Sequence, residues 1–158
     1  MFMAALILIL STGLLFFYLQ AVCQNVLRRR FAREFSQAIV NANNLEFPSV
    51  RKALGEFSLP VEYPRLVMTL RCDFLALTYL LKNAANVNQR YSHEERLLIL
   101  YFRLIFFTLV TRHWLRLRET APALKLTAIL EYFANVVGER VDTVRFGNLT
   151  ASDYLLNL

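Results

Sequence analysis

The sequence predicts an all-α protein: one N-terminal transmembrane helix continuing into a cytoplasmic bundle of about four to five helices. Three observations carry this. The chain opens on a long apolar run without a charge, since no Lys, Arg, Asp or Glu precedes Arg28. Glycine and proline number only four each in 158 residues, which leaves little turn chemistry for a β fold. Beyond the opening run, apolar residues recur at helical spacing behind recognisable helix starts. Hydrophobic residues make up 56% of the chain and the mean hydropathy is +0.38, more apolar than a soluble domain of this length needs.

Residues 1–27 form the predicted anchor. From Met1 to Val22 the polar interruptions are Ser11, Thr12 and Gln20, and about 20 apolar residues are enough to cross the hydrocarbon core. Tyr18 is placed to act as an interfacial aromatic. Arg28, Arg29, Arg30 and Arg33 follow at once, and arginines on one flank hold that flank in the cytoplasm. The expected topology is therefore single-pass, with the N-terminus outside and the C-terminal domain cytoplasmic, as in a bacterial inner membrane. A cleaved secretory signal would carry its positive charge before the apolar run, whereas here the charge comes after. A lipoprotein signal would want a small residue before Cys23, and Val22 stands there.

The net charge of +6 is explained by the same flank. From Glu34 onward 14 basic residues face 12 acidic ones. A surplus of two, away from a membrane-adjacent cluster, is no nucleic-acid signature, and no nucleic-acid partner is expected.

Residues 28–140 form the predicted bundle. The anchor helix is expected to run on without a breaker to about residue 43, with Asn41 to Asn44 ending it. Pro48 opens a short helix over about 49–57. A long helix follows over about 64–85. Ser92 with Glu95 is a capping-box pattern that starts another over about 93–119. Thr120 and Pro122 open the last major helix, expected to end near Arg140, where Gly138 reads as a stop signal. The stretch 97–117 holds one charge before Arg112, namely Arg103, and a second span is the competing reading. The narrow polar stripe of Arg96, Arg103 and Arg118, with Thr111 beside it, favours instead the central helix of the bundle.

Few residues carry chemistry. Asp73 points away from the polar stripe of its helix, made by Arg71, Thr78 and Lys82, and must be paired or protonated; a structural pair is expected, with Arg103 as the proposed partner and a proton-handling carboxylate as the alternative. His93 and His113 lack a second ligand at metal spacing, so no metal site is expected. The glycines are too far apart for a phosphate-binding loop, no nucleophile has a supporting base, and no cofactor is expected. Cys23 and Cys72 have neither zinc spacing nor a framework to share, and two unpaired thiols suit a reducing compartment. Phe102, Phe106 and Phe107 read as core, with a lipid pocket as the alternative.

Residues 141–158 read as a docking tail. Thr150 with Asp153 repeats the capping pattern before a short apolar turn, and Phe146, Tyr154, Leu155, Leu156 and Leu158 are too apolar for a frayed end. The expected function is a non-catalytic accessory or scaffold subunit of a membrane complex, with membrane lipid and other subunits as partners. The alternative is a membrane-bound enzyme or lipid-handling protein with a pocket between helices.

Overall fold

The computed structural model describes residues 2–28, 34–55, 62–83, 91–117 and 120–156, with side chains to residue 143. Six helices stand among these residues: α1 (Phe2–Leu27), α2 (Ser36–Asn43), α3 (Phe47–Gly55), α4 (Tyr63–Asn83), α5 (His93–Trp114) and α6 (Thr120–Leu156). The protein is all-α, with α1 long and apolar enough to cross a membrane and the other helices forming a compact bundle, in which α5 passes the same test of length and apolarity and is partly buried.

The centre of the bundle is α6, where the sequence pointed to α5. Helices α2, α3, α4 and α5 all pack on α6. Its buried positions include Leu126, Ile129, Leu130, Phe133 and Val137, each at most 1% exposed. Small residues explain how one helix meets so many neighbours, because Ala123 and Ala134 are fully buried and let other elements approach closely. Helix α5 buries a single stripe of Leu98, Phe102, Ile105 and Leu109 and leaves its opposite face open. Large side chains join α4 to α5, with the rings of Phe74 and Phe102 stacked at 4.0 Å. Burying each such side chain stabilises the bundle by about 1.5–3 kcal/mol.

Three expected boundaries are displaced, one of them the end of α5, which falls at Trp114 and not near residue 119. The anchor helix does not run unbroken to residue 43: Glu34 and Phe35 lie outside a helix, and α2 begins at Ser36. Helix α6 does not stop near Arg140 but continues to Leu156, through the Thr150–Asp153 capping pattern. Gly138 therefore sits inside a helix. A Cβ there would collide with Cβ and Cγ of Phe35, so the glycine marks the place where the chain entering α2 crosses α6.

The other ends follow ordinary capping chemistry. Glu95 accepts the backbone N–H of Ser92 at 3.0 Å, completing the capping box at the start of α5. Asn44 ends α2 in the left-handed region (φ 51°), and Leu45 N–H reaches the Val40 carbonyl at 3.1 Å. Arg116 (φ 53°) ends α5 in the same way, with Leu117 N–H on the Arg112 carbonyl at 2.9 Å.

Candidate functional site

The junction between the candidate membrane-spanning segment and the bundle is built from α1 itself. Every residue from Met3 to Tyr18 is exposed, in a helix where the Thr12 hydroxyl donates back to the Leu8 carbonyl at 2.7 Å. From Leu19 the helix changes environment. Leu19, Val26 and Leu27 pack against the core and Cys23 is completely buried in it, on the side where α1 meets α5 and α6. No spacer separates the exposed apolar cylinder from the docked turns. Of the expected interface residues, Tyr18 is exposed at the end of the free segment and Arg28 follows α1 in an exposed turn. Arg29, Arg30 and Arg33 lie outside the described residues.

Three buried polar side chains hold the bundle together across long sequence separations. Asp73 on α4 is buried, and its Oδ2 accepts the backbone N–H groups of Phe47 at 2.7 Å and Glu46 at 3.0 Å. It caps the start of α3 from another helix, satisfying donors that a helix N-terminus otherwise leaves open. Burial pushes its carboxyl above the usual carboxylate range; the two N–H bonds oppose that rise and the nearby Glu46 carboxylate adds to it. Asp73 and the proposed partner Arg103 are not brought together. Arg103 is exposed, at the rim of a groove lined by Arg71, Phe74, Leu75, Phe102 and Phe106. The first N–H groups of α3 take the place assigned to the guanidinium.

Asn135 on α6 repeats the device for α2, its Oδ1 accepting the N–H groups of Ser36 at 2.8 Å and Phe35 at 2.9 Å. The third lock is ionic. Arg140 on α6 donates to Glu95 Oε1 at 2.5 Å and to the Leu81 carbonyl at 2.5 Å, tying the end of α4 and the start of α5 to one side chain. Glu95 is only 4% exposed, and its two oxygens are divided between the cap of α5 and this pair. Neither Asn135 nor the Glu95–Arg140 pair was anticipated. The one available signal was phase, because Glu95 lies three, seven, ten and fourteen residues before the buried Leu98, Phe102, Ile105 and Leu109.

Other surfaces are less specific. A pocket between α2, α3 and α6 is lined by Gln37, Pro48, Arg51 and Glu131, and Arg51 pairs with Glu131 across it. A second lies beside Glu46, Glu62 and the exposed thiol of Cys72. Among the described residues no group of three His, Cys, Asp or Glu side chains is placed to hold a metal ion. Phe146, Tyr154, Leu155 and Leu156 fall on the C-terminal turns of α6, where side chains are not described, and Leu158 lies outside the described residues.

No protein family, curated protein or solved structure matches this chain.

Proposed function

We propose that the chain is an accessory or scaffold subunit of a membrane protein complex, anchored by α1 with the N-terminus outside and the helical domain at the cytoplasmic face. The observation that carries this reading is the packing of Leu19, Cys23, Val26 and Leu27 into the bundle. It fixes the anchor to the domain, so the domain stays at the bilayer and presents its other faces there. The arginines after α1 supply the orientation. The C-terminal turns of α6, with Phe146, Tyr154, Leu155 and Leu156, are the proposed partner-docking segment, because helical turns this apolar call for cover.

The second reading, a lipid-handling protein or membrane-bound enzyme, draws on the groove between α4 and α5. Phe74, Phe102 and Phe106 line it beside Arg71 and Arg103, an arrangement suited to an acyl chain with an anionic head. Extraction in mild detergent separates the two. An accessory subunit co-purifies with a larger assembly in fixed stoichiometry, and truncation after Thr143 abolishes this while the helical circular dichroism of the bundle survives. Recovery as a lone monodisperse chain with lipid detected by mass spectrometry would replace the first reading by the second.

A further inference from the structure

Helices α4 and α5 leave outward faces that the bundle does not cover. On α5 these positions run Arg96, Leu100, Arg103, Phe107, Val110 and Trp114, all exposed. At 100° per residue they fall within about 80° of one another, opposite the buried Leu98, Ile105 and Leu109. On α4 the exposed stripe is Met68, Arg71, Leu75 and Tyr79. The two stripes adjoin at the groove, where Arg71 and Leu75 of α4 meet Arg103 of α5. Exposure is large for residues of this size: 85% for Trp114, 70% for Phe107, 69% for Met68 and 68% for Tyr79.

The charges that α4 and α5 themselves place on this surface have one sign, and Glu46 and Glu62 border it beside Met68. Helix α4 holds a single acidic residue, Asp73, which is buried on the cap of α3. Helix α5 holds Glu94 and Glu95 in its first turn, the latter buried and the former directed toward the Tyr132 hydroxyl on α6. No carboxylate of either helix shares the face with Arg71, Arg96 and Arg103. Around the groove, large apolar and aromatic side chains interleaved with arginine, without acid, match the boundary between anionic headgroups and acyl chains. The arginines cannot be fully immersed at an acceptable cost but can reach phosphates from that depth. The docking of α1 supplies the proximity, because the bundle begins at Leu19, directly after the exposed apolar cylinder.

We infer that the outward face of α4 and α5 lies on the anionic membrane surface, with Trp114, Phe107 and Leu100 entering the headgroup boundary and Arg71, Arg96 and Arg103 on lipid phosphates. The inference rests on the anchored reading above, and the two are tested apart. Trp114 is the only tryptophan in the chain, so its fluorescence reports on this face alone. The full chain is reconstituted into vesicles of phosphatidylcholine with or without phosphatidylglycerol, carrying lipids brominated near the headgroup end of the acyl chain. Flotation with the vesicles reads the anchor, and quenching of Trp114 by bromolipid reads the face.

The expected result is a floating chain whose Trp114 emission is blue-shifted and quenched in the anionic vesicles, with weaker quenching in phosphatidylcholine alone. Substituting Gln for Arg71, Arg96 and Arg103 lowers the docked population by about fivefold per residue, without changing flotation or circular dichroism. A floating chain whose Trp114 is quenched by aqueous iodide and not by bromolipid overturns the inference and leaves the anchor standing. The same holds if Trp114 is shielded only inside a native complex, where the face would belong to a protein partner. A chain that fails to float overturns both.

Discussion

Arg140 on α6 donates to the buried carboxylate of Glu95 on α5 at 2.5 Å while also reaching the Leu81 carbonyl at the end of α4. Three helices thus share one guanidinium. Removing one partner leaves an uncompensated charge, and Glu95→Ala or Arg140→Ala is expected to cost about 3–5 kcal/mol, because breaking a buried pair costs far more than the pair contributes. Urea unfolding of the full chain in detergent, followed by circular dichroism, measures this. Losses within about 0.5 kcal/mol would place the pair on the surface.

The trans cap from Asp73 to α3 predicts both a magnitude and a pH dependence. Asp73→Ala leaves the N–H groups of Glu46 and Phe47 without their acceptor and is expected to cost about 2–3 kcal/mol. The folded-state pKa of Asp73 lies above its unfolded value. The folded state therefore holds this proton more tightly, so the contribution is fully present below the ordinary carboxylate range and is lost as pH rises through the raised pKa. Asp73→Asn, which keeps an acceptor and cannot ionise, should flatten that part of the stability-versus-pH curve. An unchanged slope in the Asn variant would show that the carboxyl titrates alike in both states.

Gly138 makes a prediction opposite to the one helix propensity gives. In an exposed helix interior, Gly→Ala stabilises by roughly 0.5–1 kcal/mol. Here the new Cβ meets Phe35, and Gly138→Ala is expected to destabilise by about 1–3 kcal/mol. Phe35→Gly in the same chain should recover most of that loss in a double-mutant cycle. Additive effects would mean that the two residues do not touch.

How much could be read in advance varied with the range of the cause. Local signals were legible: the uncharged run of α1, Pro48 in the first turn of α3, and the Ser92–Glu95 box all appear within a few residues of the element they define. The cap of α2 was not legible, because its acceptor Asn135 lies 99 residues from Ser36. Gly138 looked like a helix stop because glycine serves both helix ends and close approaches, and only the position of Phe35 distinguishes them. Asp73 was recognised as a buried acid, yet its partners are backbone groups, which no side-chain pattern announces. Arg103, the candidate partner for Asp73, lies instead on the open face of α5. The narrow polar stripe on the apolar run from Leu97 to Val110 points to α5 as the centre, whereas α6 holds the small residues, Ala123 and Ala134, that let neighbours close in.

The central claim, a helical domain held at the cytoplasmic face by α1, is tested most directly through the native thiols. Cys72 is exposed on α4 and Cys23 is completely buried, so Cys72 reports the side on which the domain lies. Labelling with a membrane-impermeant maleimide is compared in intact and permeabilised cells, with Cys72→Ser as the control, on chain that stays in the membrane after alkaline extraction. The account predicts labelling of Cys72 only after permeabilisation. Labelling in intact cells, or release of the chain by alkali, would contradict it.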